Sequence, residues 1–156
     1  MRGKKAKINK IAPDFKFGSV TVSRFINKLM FDGKKTTSER QVYKALDKLA
    51  EITGLPALEA FEKAVDNIKP RVEVKAKRVG GANYQVPTPV REARQYALAY
   101  RWIIASARDK RTNTEFYVVL ADELAEAFKG QGNSIKKRDE MHRMADANKA
   151  FAHLAW

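Results

Sequence analysis

Residues 74–87 read VKAKRVGGANYQVP, and their two-residue rhythm stands out in a chain that looks helical on both sides. Strand side chains alternate between faces, so Val72, Val74 and Ala76 are assigned to one face and Arg71, Glu73, Lys75 and Lys77 to the other. Gly80 and Gly81 permit the positive φ that a tight turn demands. Tyr84 and Val86 then resume the alternation as far as Pro87. At about 3.3 Å per residue each strand reaches roughly 20–25 Å. A lone hairpin is marginal in water, so this arm, about residues 71–87, is expected to gain rigidity from a partner.

The flanking sequence has helical periodicity. Ser19 suits an N-cap, and Val22, Phe25, Ile26, Leu29 and Met30 follow at helical spacing before Gly33. TTSE at 36–39 reads as a capping box. Val42, Leu46, Leu49 and Ile52 or Thr53 then share one face until Gly54 and Pro56. Leu58, Phe61, Val65 and Ile68 form a third stripe before Pro70. Thr88 and Pro89 suit the start of a fourth helix running to about Arg108. TNTE at 112–115 reads as a second capping box before a helix over about 115–128, and a last helix begins near Asn133 or Ser134. The predicted fold is mainly α: a bundle-like single domain of six helices with one protruding two-stranded hairpin. Residues 19–156 form that domain, and residues 1–18 are a flexible basic arm too polar to fold alone.

Charge narrows the function. The chain has 156 residues, 31 Lys and Arg against 18 Asp and Glu, and a net charge of +13. Such self-repulsion does nothing for packing and points to a polyanionic partner, most often nucleic acid. The alternative is a merely solvated charged surface. The signs are segregated, however. Residues 37–68 carry six acids and four bases, and residues 115–128 carry four acids and no base. The positive charge gathers in the arm (Arg2, Lys4, Lys5, Lys7, Lys10), the hairpin, the fourth helix and the start of the sixth.

In the fourth helix Arg94, Arg101 and Arg108 recur every seven residues along one side, with Arg91 close by. Arginine suits bidentate phosphate contact and stacking. Tyr96, Tyr100 and Trp102 lie between them, as stacking surfaces for unpaired bases or, for Tyr100 and Trp102, as ordinary core residues. In IKKRDEMHRM, Lys136, Lys137, Arg138 and Arg143 serve either RNA contact or intrahelical pairing such as Asp139 with Arg143.

Catalytic constellations are missing from the sequence. There is no cysteine, His142 and His153 are the only histidines, and no HExxH, phosphate loop or serine with a nearby base occurs. No cofactor, metal or small-molecule substrate is expected. MRGKKAKINK lacks the apolar stretch of a secretory signal, and no apolar run approaches the ~20 residues of a membrane span. A soluble intracellular protein is expected. A DNA-binding regulator explains the charge equally well but lacks clear helix-turn-helix spacing. An enzyme acting on RNA lacks acid–base groups.

The motifs SRFINKLMFDGKK (23–35), KRVGGANYQVP, ALAYRW, IKKRDEMHRM and the closing ANKAFAHLAW resemble the bacterial-type family of small-subunit ribosomal protein seven, over nearly the whole chain. The resemblance implies a primary binder of small-subunit ribosomal RNA that nucleates assembly of the subunit head. It implies a cytoplasmic, ribosome-bound protein, whether of a bacterial or an organellar ribosome, with no membrane partner. The implied RNA-facing residues are Lys34, Lys35, Lys75, Lys77, Arg78, Arg91, Arg94, Arg101, Arg108, Lys110, Arg111, Lys136, Lys137 and Arg138. The hairpin tip, Gly80, Gly81, Ala82 and Tyr84, is implied to lie near exit-site transfer RNA and the messenger path. Contacts with the ninth and eleventh small-subunit proteins are implied, with Asn148, Lys149 and Phe151 adjoining the eleventh. Ala76 and Ala93 stand where the family often carries basic residues.

Overall fold

A computed structural model describes residue 3 and residues 11–154. In chain order the elements are α1 (Val20–Leu29), α2 (Lys35–Thr53), α3 (Ala57–Ile68), β1 (Val72–Val79), β2 (Ala82–Pro89), α4 (Glu92–Lys110), α5 (Phe116–Phe128) and α6 (Asn133–Ala147), closed by a 3-10 helix, Lys149–Leu154. The mainly helical fold with one antiparallel hairpin agrees with the sequence reading.

The predicted stripes form the core. Val22, Phe25, Ile26, Val42, Leu46, Leu49, Phe61, Val65 and Ile68 are all buried. Each comes from a helix whose apolar positions recur every three or four residues, so one face of each helix is removed from water together. Phe25 lies 5.3 Å, centroid to centroid, from both Phe61 and Tyr100, which ties α1, α3 and α4 through one aromatic cluster. Ile52 is exposed, and Thr53 instead donates its hydroxyl to the Leu49 carbonyl. The acidic helix α5 is central: it packs on α2, α3, α4 and α6, and buries Leu120, Leu124 and also Glu123.

Several predicted boundaries shift. Neither capping box forms. Asp32 and Gly33 take positive φ and turn the chain early, so α2 starts at Lys35 with Lys34 as N-cap, and Thr36 is already inside the helix. A threonine there is past the position from which a hydroxyl reaches the free N–H groups. At the second box Glu115 itself occupies the N-cap, three residues beyond Thr112. Ser19 does cap α1, accepting from the Val22 N–H. Thr88 and Pro89 belong to β2 rather than α4, because they pair with Glu73 and Val72; α4 begins after Arg91 and runs on to Lys110.

Before α1, Asp14 is only 8% exposed, and its carboxylate accepts from the N–H groups of Lys16, Phe17 and Ser19. Gly132, at φ +96°, begins α6 where a Cβ would lie 2.8 Å from the Glu126 carboxylate. Both the left-handed backbone and the close approach call for glycine there.

Candidate nucleic-acid interface

The hairpin turns on Gly80 and Gly81, with φ of 57° and 91°, the two positive values of a type I′ turn. Its register pairs Lys75 with Val86 and Lys77 with Tyr84. Directly opposed residues share a face, so the lysines lie on the same side as Tyr84 and Val86. That face, and not the one bearing Val72, Val74 and Ala76, is turned to the body. Tyr84 stacks obliquely on Phe151, 5.2 Å between centroids, and the Lys77 ammonium donates to the Leu154 carbonyl. The stabilising partner expected for the arm is therefore partly intramolecular: α6 and the closing 3-10 helix lie against it.

At the base of the arm Glu73 is 6% exposed. Its carboxylate is 3.2 Å from Lys75 Nζ and 3.2 Å from Arg94 Nε. Burial acts to raise its pKa, but these two cationic donors outweigh burial and hold the carboxyl below its ordinary value. A depressed carboxylate pKa contributes stability above the unfolded value and loses it as pH falls through the folded one. The hairpin base is thus expected to loosen as pH drops below about 4.5. Faster amide exchange at Lys75 and Val86, ahead of the helices, is the check. Uniform protection down to global unfolding contradicts it.

Glu73 joins the hairpin to the first turn of α4, and the arginine stripe continues from there. Arg91, Arg94, Arg101 and Arg108 are exposed, and Arg94 to Arg108 spans about 21 Å of helix. Arg101 makes no ion pair among the described residues. Arg108 donates to the Leu29 carbonyl, with its guanidinium 6.0 Å from the Phe31 ring centre. There it shares one cavity with Lys34 and Arg111. Hairpin, α4 and the α1–α2 turn are brought together, with Glu73 as a fixed counterion at one end.

Other predicted residues are engaged elsewhere. Lys110 turns inward, 2.6 Å from Glu123 and from Glu126. Burial acts to lower its pKa, but the two carboxylates more than offset burial and raise it. Arg138 donates to the Asn67 carbonyl and to Asp139, so the carboxylate named above as an alternative partner for Arg143 is taken by Arg138. Lys35 lies 3.8 Å from Glu39. Arg78, Gly80, Gly81, Ala82, Lys136 and Lys149 are exposed, and Lys137 is half-buried. Asn148 bonds back to the Met144 carbonyl, and Phe151 is half-covered by Tyr84. Arg2, Lys4, Lys5, Lys7 and Lys10 lie outside the described residues.

The aromatic alternatives resolve by position. Tyr100 is a core residue: burial pushes its phenol well above the usual range, and its hydroxyl donates to the Thr21 carbonyl. Tyr96 and Trp102 are partly buried against the same core. His142 accepts from the Arg71 N–H, a structural role between α6 and the hairpin base. Sequence reasoning passed over Glu73 as an anchor, although it is the one acid among the hairpin's bases.

Among the described residues no group of three or more His, Asp or Glu could hold a metal ion, and no helix is long and apolar enough to cross a membrane. A helical body with exposed arginines along one side of α4 and a basic hairpin at its start is an arrangement suited to a polyanionic partner. The family described as ribosomal protein S7p/S5e matches residues 1–149. The chain belongs to that family, whose members are structural, RNA-binding components of the small ribosomal subunit acting in translation.

Proposed function

We propose that this protein is a primary binder of small-subunit ribosomal RNA that nucleates assembly of the subunit head. The observation that carries the reading is the exposed cationic line from the hairpin base along α4 to the α1–α2 turn. It comprises Lys75, Arg91, Arg94, Arg101, Arg108, Lys34 and Arg111, with Lys35, Arg78 and Lys136 as further exposed cations. A line of this kind grips phosphates at a junction of RNA helices and fixes their relative geometry. Recognition rests on RNA shape and unpaired bases, because the deep, narrow A-form major groove excludes side chains. The hairpin tip, Gly80 to Tyr84, extends toward exit-site transfer RNA and the messenger path. Asn148, Lys149 and Phe151 adjoin the eleventh small-subunit protein, and the ninth is a further neighbour. The protein is cytoplasmic and ribosome-bound.

Each phosphate contact releases counterions, so if six to ten are made, affinity for the RNA falls by about 10³–10⁵ between 50 and 200 mM salt. Filter binding across that range checks it. A flat salt response, or displacement of the folded RNA junction by duplex DNA at equal nucleotide concentration, removes the reading.

Deleting residues 75–85 is expected to leave a folded body that still binds RNA through α4, with helical circular dichroism intact, while disturbing transfer RNA handling. The deletion keeps Glu73 and Val86, the two buried residues of the hairpin strands. Collapse of the helical signal makes the arm structural instead.

A further inference from the structure

A cavity of about 650 Å³ opens between the α1–α2 turn, the first half of α2, the end of α4 and the start of α5. This is a volume that small organic groups occupy in proteins. Phe31 and Phe116 give it apolar walls, and Lys34, Arg108 and Arg111 give it three cations against a single acid, Glu115.

Two features of the cavity stand out. Phe31 remains 68% exposed, with the Arg108 guanidinium 6.0 Å from its ring centre. It sits just before Asp32 and Gly33, whose positive φ values turn the chain there, so the ring is set in a defined turn. The second feature is Gln41, which lines the cavity; its Oε1 is shielded from solvent with no hydrogen-bond partner, so the amide gains a partner by turning toward an occupant. Folded proteins rarely leave such an atom unsatisfied. An apolar side chain from a protein partner covers the ring but leaves the amide unpaired and the excess of cations over Glu115 unmatched. A nucleotide answers all three demands: a flat face for Phe31, an N–H on the base edge for Gln41, and phosphate for the cations.

We infer that this cavity receives one unpaired nucleotide of the bound RNA, with Phe31 as the stacking surface, the Gln41 amide reading the base edge, and Lys34, Arg108 and Arg111 holding the adjoining phosphates. The inference rests on the RNA-binding reading above and adds to it a single-base site with residues of its own.

The test uses the full-length protein and a transcript of the small-subunit ribosomal RNA, with affinity from filter binding and base accessibility from chemical probing at saturating protein. Phe31→Ala and Gln41→Leu are each expected to weaken binding by about tenfold, the scale of one lost base contact. Phe31→Trp should restore binding. The salt dependence of Phe31→Ala should stay that of wild type, because no phosphate contact is removed. Chemical probing should show one unpaired base that is protected by wild type and reactive with either weakened variant. Phe31 is exposed, so its replacement tests the site without threatening the fold. Unchanged affinity and an unchanged protection pattern for Phe31→Ala overturn the inference while leaving RNA binding in place. So does a variant that binds RNA normally but no longer associates with purified small-subunit proteins, which makes the cavity a protein seat. Failure of the wild-type protein to bind the transcript rejects the broader reading itself.

Discussion

Replacing Lys110 with alanine is expected to destabilise the fold by about 3 kcal/mol, the lower end for removing one partner of a buried ion pair. Glu123 is fully buried on the central helix α5. Its Oε1 accepts from the N–H and hydroxyl of Ser134, which opens α6. Lys110 Nζ lies 2.6 Å from Oε2, and this ion pair joins the end of α4 to α5. Without the ammonium, the core keeps a carboxylate supported only by two neutral donors. At this chain length a loss of that size lowers the melting temperature by roughly 6–12 °C. The double variant Lys110→Met with Glu123→Gln should recover at least half of the loss, since it removes both charges and preserves an acceptor for Ser134. The raised pKa of Lys110 gives the same interaction a pH signature. The pairing is fully present below the lysine's ordinary value of 10.5 and fades as pH rises through its higher folded value. Equal melting temperatures for wild type and Lys110→Ala would falsify the assignment.

The second large effect concerns RNA. Arg101→Glu is expected to lower affinity by about 30-fold, corresponding to about 2 kcal/mol for a lost charge-assisted phosphate contact together with new repulsion. Arg101 is exposed at the middle of the stripe and makes no ion pair among the described residues, so the change leaves the core untouched. A suitable control is Glu51→Lys, an exposed position at the far end of α2. If Arg101→Glu and Glu51→Lys shift the binding midpoint equally, the α4 stripe is not the contact surface.

Much of this architecture was legible locally. The apolar stripes of α1, α2 and α3, the turn at Gly80 and Gly81, and the seven-residue recurrence of arginines on α4 all follow from short-range periodicity. The helix starts were less legible. Thr36 with Glu39 and Thr112 with Glu115 have the spacing of capping boxes, yet the preceding turns decide where each helix begins. Alternation sorted the hairpin's side chains onto two faces without saying which turns inward; the tertiary neighbours Phe151, Leu154 and Arg94 lie on the side of Tyr84, Lys77 and Glu73.

The basic composition, the helical class, the hairpin and the family resemblance could all be read from the residues in order. Tertiary structure alone decided which cations are offered and which are held: Arg101 outward, Lys110 against Glu123, Arg138 against the Asn67 carbonyl 71 residues away. Periodicity reports which face of an element a side chain occupies, because that depends on a few neighbouring residues. A charge's partner depends on where distant elements come to rest, and no local pattern encodes that.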